Sequence, residues 1–480
     1  MKRASVSENL FYNILYQVVI TVLPILTTPY VARVLGLESN GIHSFTESIV
    51  TYFILFGSLG TSLYGIRAIA RVRDNPQLLS QTTIEIIALK LVLLIATLAV
   101  YAPVLCINSE YAIIYRIHLI NVIASGLDIS WFYQGIEDFK KVTIRNFIVK
   151  ILFVVSLFVF VKGPNDLPIY VFSIVASTLF GNLLMLYYLP KYTKIKSSEK
   201  ISILPHLKGS LILFVPQIMN YIYALLDRSL LGWMTNTDNV GIYDQAQRLI
   251  RMVTGILMSL GYVMMARISN LSLNDDVEGI KNYIRKSINF TLFLALPAMF
   301  GIIAVANDFI PFFLGEEFLE VIPTLEKLSP LILTLSINSI LGVQLLIPIG
   351  KEKRYTLATI MGALTNVILN VLLIPSLGIL SACIASLSAE LVVFTICFIA
   401  ARKMVSVRAV FKDNIFVLLA CLIMYFAVVL VSKLEINLFV KLILEVSIGG
   451  LVYLIITLAT KNEILFSIFE KAKNLLKREV

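Results

Sequence analysis

Fourteen apolar runs, each about 20 residues or longer, constrain this 480-residue chain more than any other feature, because no loop between them reaches even 20 residues. They fall near 9–35, 42–67, 82–107, 110–134, 143–162, 168–190, 207–234, 240–266, 283–306, 319–349, 355–375, 379–401, 414–432 and 438–460. Hydrophobic residues make up 58% of the chain and charged residues 15%, too little polar surface to clothe a soluble fold of this size. Lipid is therefore the expected solvent, and the expected fold is an all-α polytopic membrane protein with about fourteen transmembrane helices. The first run follows Met1-Lys2-Arg3 and extends to about Leu35. It exceeds the apolar core of a signal peptide and is followed at once by further spans, so it reads as a retained helix.

The basic residues carry the topology. If the termini share a side, 29 lysines and arginines lie in the loops of that side, and only Lys162, Lys433 and Lys441 lie opposite. Cytoplasmic loops are the ones enriched in Lys and Arg, so both ends are predicted to be cytoplasmic. The same distribution accounts for the net charge of +10, which removes the reason to expect nucleic acid as a partner. The longest loop, Lys191 to His206, leaves no room for a soluble catalytic or nucleotide-binding domain, and no phosphate-loop motif is present. An enzyme is not expected, nor a cofactor. Cys106, Cys383, Cys397 and Cys421 lie in apolar runs without metal-ligand spacing, so neither a disulfide nor a metal site is expected.

A repeat organises the spans. The first ends in Arg33-Val34-Leu35-Gly36, followed by Gly41-Ile42 and Gly60; the seventh ends in Arg228-Ser229-Leu230-Leu231-Gly232, followed by Gly241-Ile242 and Gly261. Six spans separate the two units, an even number, so they have the same topology. Two pseudo-symmetric six-helix lobes follow, over 1–206 and 207–404, with two extra helices and a tail over 405–480. A binding site is expected between such lobes near the bilayer midplane. The two extra helices are low in polar residues and read as a peripheral addition.

Charges inside spans mark candidate sites, since each costs roughly 2.5–3.5 kcal/mol near the bilayer centre on insertion scales. Asp244, Arg248 and Arg251 share one face of the eighth span, and Gln217, Asn220, Asp227 and Arg228 occupy about a third of the circumference of the seventh. Arg33 and Glu47 hold matching places in the first lobe, Glu47 beside Ser44, Thr51 and Ser58. The fourth span carries His118, Asn121, Ser125 and Asp128 on one face, with Arg116 pointing away toward the outer interface. His118 is expected to be a hydrogen-bonded packing residue. Asp128 is either a protonatable group or the ion-pair partner of Lys90 or Lys150. The first span has a stripe of Asn13, Gln17, Thr21, Pro24 and Thr28, and the seventh repeats the proline with Pro216. Asn366 and Asn370 share a face with Thr359 and Gly362 in the eleventh span, while Glu390 sits mid-span in the twelfth. Glu47, Asp128, Asp227, Asp244 and Glu390 are the candidates for coupling to a proton or sodium ion.

The string "WFYQGIEDFKKVTIRN", Trp131 to Asn146, resembles the loop after the fourth helix of bacterial flippases for O-antigen and capsule repeat units, in the multidrug/oligosaccharidyl-lipid/polysaccharide exporter superfamily. Its aromatic residues are expected at headgroup level with the following lysines in the cytoplasm. "LDRSLLGWMTNTDNVGIYDQAQRLI" (226–250) and "GKEKRYTLATIMGALTNVILNVLLIPSLGILSACIASLSAE" (350–390) resemble the junction of helices seven and eight and helices eleven and twelve of the same family. The resemblance implies alternating-access movement of an undecaprenyl-pyrophosphate-linked oligosaccharide from the cytoplasmic to the outer leaflet, with a polysaccharide polymerase as a further partner. Arg33, Arg228, Arg248 and Arg251 would then attract the pyrophosphate, because guanidinium binds phosphate oxygens in a bidentate fork, and Asn366 and Asn370 would meet the sugar. The alternatives are ion pairs and interhelical hydrogen bonds among the same residues. Three other functions compete: a cation-coupled multidrug exporter of the same superfamily, a membrane-embedded polymerase or glycosyltransferase, and a scaffold for cell-wall assembly.

Overall fold

A backbone in hydrocarbon must satisfy its own hydrogen bonds, which leaves helices as the solution for apolar runs of this length. The computed structural model describes residues 6–107, 109–193, 201–258, 261–274, 276–462 and 464–466, and helix is the regular structure they adopt. The chain divides into two compact units, residues 1–232 and 233–480.

In the first unit, α1 (Val6–Ser58) carries the first two spans in one helix bent at Gly36, whose φ of 73° and ψ of 179° only glycine adopts readily. Next come α2 (Thr61–Val72), α3 (Pro76–Leu105), α4 (Ala112–Leu127), the single turn α5 (Ser130–Gly135), α6 (Phe139–Phe160), α7 (Leu167–Tyr188) and α8 (Leu204–Met234). Gly60 separates α1 from α2 at φ 75°, and a Cβ there would lie 2.7 Å from the Ser210 carbonyl on α8. Asn75 caps α3 by accepting from the backbone N–H groups of Gln77 and Leu78. One buried core gathers Val31, Leu157, Val161, Tyr170 and Val175 from α1, α6 and α7. The other lies under the α4–α5 junction.

The second unit comprises α9 (Thr237–Met258), α10 (Gly261–Leu273), α11 (Val277–Phe313), α12 (Val321–Leu328), α13 (Leu331–Ser339), α14 (Glu352–Leu377), α15 (Ile379–Ala401), α16 (Val407–Ser432) and α17 (Leu438–Ala459). After α13 the chain continues through a π-helical segment, Ile340–Leu346, a distortion that often accompanies functional sites. The two C-terminal helices, α16 and α17, pack on α11 through a shared buried core built on Phe293, Leu296, Val417, Cys421, Met424 and Tyr453. The Tyr453 hydroxyl donates to the Phe293 carbonyl at 2.6 Å.

Eleven helical segments among the described residues are long and apolar enough to cross a membrane. Counting the two arms of α1 separately, and adding α8 and α9, gives the fourteen spans the sequence predicts. The amphipathic α9 carries Asp238, Asp244, Arg248 and Arg251, which lowers its hydropathy. Large apolar side chains such as Phe426, Leu430, Val446 and Ile455 face outward from α16 and α17, as a lipid-facing surface requires.

Candidate functional site

One polar centre of the first unit is built on the sequence string that follows α4. Asp128 ends that helix, and its carboxylate accepts hydrogen bonds from the Ser130 N–H at 2.9 Å, from the Ser130 hydroxyl, and from the Arg145 guanidinium at 3.0 Å. The same Arg145 nitrogen reaches the Ser130 hydroxyl and, at 2.7 Å, the Asn182 side-chain oxygen, while Asn182 donates to the Ala124 carbonyl. The Asp128 backbone carbonyl accepts from the buried Lys90 ammonium and from the Trp131 indole N–H. Four helices, α3, α4, α6 and α7, are thereby tied at one point. The hydrogen-bonded ion pair of Asp128 is with Arg145, which the sequence did not offer; Lys90, one of the two lysines it did offer, donates to the Asp128 main-chain carbonyl and acts on the same carboxylate through its charge.

The aromatic residues beside this point are interior, contrary to the headgroup belt expected of them. Trp131, Phe132 and Tyr133 are 1%, 0% and 0% exposed. Trp131 lies against Gly65 of α2, where a Cβ would sit 2.6 Å from the ring, and the Tyr133 hydroxyl donates to the Met185 carbonyl at 2.7 Å. Asp138 then caps α6, pairs with Lys141 at 2.8 Å and accepts from the Tyr192 hydroxyl, with the Lys141 ammonium 4.3 Å from the Tyr192 ring centroid. The motif is a structural knot at one end of the bundle.

Glu47 stands one turn beyond His43, 3.9 Å from its ring nitrogen, and is the more exposed of the two. His118 is buried with neither ring nitrogen hydrogen-bonded, so the packing residue expected there lacks the expected partner. Arg116 donates to the Cys106 carbonyl at the end of α3. Arg33 is exposed. On α8, Asp227 is buried and Arg228 half-buried, and both act electrostatically on Tyr52 of α1. The two helices meet closely: the Ser229 and Ser48 hydroxyls are 2.9 Å apart, and the Phe45 ring covers Gly232. The side chains of Asn13, Gln17, Thr21, Gln217 and Asn220 lie outside the described residues.

In the second unit α9 carries a relay that takes in Arg251 of the predicted face together with Tyr243 and Gln247, which the sequence did not single out. The Tyr243 hydroxyl is 2.9 Å from the Ser386 hydroxyl of α15, Gln247 donates to Tyr243 at 2.7 Å, and Arg251 donates to Gln247 at 3.1 Å. Positions 243, 247 and 251 follow one another at single-turn spacing, so each holds the next. The exposed Arg251 guanidinium is therefore aimed by a buried anchor. Arg248, one residue around the helix, pairs with the buried Asp244 at 3.1 Å. Glu390 of α15 is buried, and the Asn338 amide of α13 donates to both its carboxylate and its backbone carbonyl. Asn366 and Asn370 of α14 are both buried, and Asn370 donates to Asn366.

Sequence reasoning missed a second cross-link in the first unit. His206, at the start of α8, bridges Tyr64 of α2 at 2.9 Å and the buried Glu85 of α3 at 2.8 Å. Glu85 also accepts from the Ser202 N–H and the Gln81 amide. An acid inside an apolar run was the available signal, as it was for Asp128. Lys441 was counted with the outer loops but belongs to α17, where it pairs with Asp308 of α11 at 2.9 Å.

A multi-pass, all-helical membrane protein with buried ion pairs, basic side chains projecting from its spans, and no cluster of metal-ligating residues among those described is the class these features define. Residues 6–272, more than half of the chain, match the family of polysaccharide biosynthesis proteins, and the chain belongs to that family. Residues 213–372 also match the MatE family. A Shigella dysenteriae protein described as an O-antigen transporter is 26% identical over 350 residues, covering 72% of this chain and 87% of that one. One so described from Escherichia coli strain K12 is 23% identical over 76% of this chain and 89% of its own. Among solved structures, the lipid II flippase MurJ in an inward closed conformation aligns with a TM-score of 0.76 at 18% identity, covering 95% of this chain and all of that one, and so shares the fold.

Proposed function

We propose that the chain is a flippase that carries a polyprenyl-pyrophosphate-linked oligosaccharide repeat unit from the cytoplasmic to the outer leaflet, for assembly of a surface polysaccharide. Membership of the polysaccharide biosynthesis family over residues 6–272 is the observation that carries this reading, with a relative described as an O-antigen transporter matching over 72% of the chain. The chemistry agrees with it. An oligosaccharide diphosphate brings at least two negative charges into a low-dielectric passage, and arginine is the side chain that stays charged there and grips phosphate with a fork. Arg251, held by Gln247, is the first candidate for that role, with Arg33, Arg228 and Arg248 as the others.

Undecaprenyl pyrophosphate is the proposed lipid, the bacterial inner membrane the proposed location, and both termini are placed in the cytoplasm because the basic loops lie on their side. Transport by this reading draws on a proton or sodium gradient or on substrate supply, since the sequence carries no phosphate-loop motif. Among the candidate coupling carboxylates, Asp128 is engaged by Arg145 and Glu390 by Asn338, so ion binding at either would have to displace a hydrogen bond it already accepts.

The match of residues 213–372 to the MatE family supports a second reading, a cation-coupled multidrug exporter. Vesicles reconstituted with the protein and a fluorescent lipid-linked oligosaccharide separate the two. The flippase reading requires protein-dependent movement of the labelled lipid between leaflets. Efflux of organic cations without such movement would establish the exporter instead.

A further inference from the structure

Glu445 lies in the second turn of α17 and is fully buried, and neither of its carboxyl oxygens is met by a donor among the described residues. An ionised carboxylate in such a place would pay its full desolvation penalty with no hydrogen bond in return. Lys441, one turn before Glu445 on the same helix, pairs with Asp308 of α11 at 2.9 Å, which brings the Asp308 carboxyl beside Glu445, and two carboxyl groups side by side can bond only if one of them carries a proton. Asp308 already accepts from a cation: the Lys441 ammonium stands 2.9 Å from one of its oxygens and 3.0 Å from the Ser432 carbonyl at the end of α16, an arrangement a second proton on Asp308 would weaken. The proton therefore belongs to Glu445 and bridges it to Asp308. Charged groups facing Glu445 come from two elements, Asp308 on α11 and Lys441 on α17 itself. From α16 the neighbouring helix face is apolar, with Val428 and Met424 against Gly449.

We propose that Glu445, Asp308 and Lys441 form a proton-binding site in the C-terminal helix pair, in which one proton is shared between two carboxyl groups and exchanges with solvent along the Asp308–Lys441 edge. That edge is accessible where Glu445 is not, since the side chains of Lys441 and Asp308 are 15% and 13% exposed. One proton on two acids beside one ammonium leaves the site neutral, and losing the proton leaves it with a net negative charge inside the bundle. Proton occupancy thus changes how strongly α17 is held against α11. A link from this site to transport rests on the flippase reading; the site itself does not.

Infrared spectroscopy of the full-length chain in lipid bilayers tests it without reference to cargo. The wild type should show a protonated-carboxyl stretching band at neutral pH that shifts on isotopic labelling of glutamate and fades in alkaline buffer. Glu445→Gln, nearly isosteric and able to donate to Asp308, should lose that band. In Asp308→Asn the band should also go at neutral pH, because Lys441 is then free to neutralise an ionised Glu445. Lys441→Met should keep it to a higher pH than the wild type. A band unchanged in Glu445→Gln, or one whose pH dependence is the same with and without Lys441, overturns the proposal. Should Glu445→Gln fail to fold, the glutamate-labelled wild type compared with Lys441→Met decides by the same shift.

Discussion

Arg145, seven residues into α6, places one guanidinium nitrogen 3.0 Å from the carboxylate of Asp128 at the end of α4 and 2.7 Å from Asn182 of α7, so that one side chain closes three helices together. The pair is largely shielded, with Arg145 at 16% and Asp128 at 30% side-chain exposure. Removing one partner strands the other charge together with the hydrogen bonds arranged around it. Arg145→Gln or Asp128→Asn should each lower stability by about 3 kcal/mol, the low end for a buried pair, and the double variant should lose clearly less than the sum. Thermal unfolding of the purified protein measures this; additive losses would mean that the two residues do not act as a pair.

Arg251 offers a cleaner test of phosphate recognition than Arg248, since Arg248 also neutralises the buried Asp244. Arg251→Gln should reduce polymer export about tenfold or more, as expected for loss of one hydrogen bond to a charged group, at unchanged protein level in the membrane. Lysine at 251 should restore only part of it, because a point charge lacks the fork. Gln247→Ala should mimic the defect more weakly by leaving the guanidinium unaimed. Full export by Arg251→Gln at matched expression would reassign this arginine to a structural role.

Gly60→Ala combines a left-handed backbone with a Cβ 2.7 Å from the Ser210 carbonyl. A cost of at least 1–2 kcal/mol is expected from the conformation alone, and more from displacing α8. Ala at Gly163, where nothing lies within 4 Å, is the control and should be nearly neutral. Equal melting temperatures for the two variants would contradict the close approach of α8 to the α1–α2 turn.

Topology can be read by cysteine labelling in intact cells, because all four native cysteines are buried and give a quiet background. A cysteine at Asn236 should react with an impermeant reagent from outside, and one at Lys200 only after the membrane is opened. Reaction of position 200 in intact cells would refute cytoplasmic termini.

Hydropathy and punctuation alone determined the helical class, the number of spans and the sidedness expected of them, because a bilayer accepts little else over runs of this length. The family was legible too, in the Trp131–Asn146, Leu226–Ile250 and Gly350–Glu390 strings. Periodicity aligned Asp244 with Arg248, which pair at 3.1 Å, since one helix fixes which of its own residues align, while Arg251 takes Gln247 on the neighbouring strip of α9. What it cannot fix is which neighbouring helix faces them. Asp128 had Lys90 and Lys150 as sequence candidates, and packing added Arg145, 17 residues on, to the Lys90 ammonium on its carbonyl. The burial of Trp131, Phe132 and Tyr133 was hidden for a related reason: in lipid, a side chain facing hydrocarbon and one facing another helix are equally apolar, so composition does not separate interior from exterior. Glu445 lay in a span that looked almost featureless. Only the approach of α11, bringing Asp308 to it, turned an isolated acid into half of a pair.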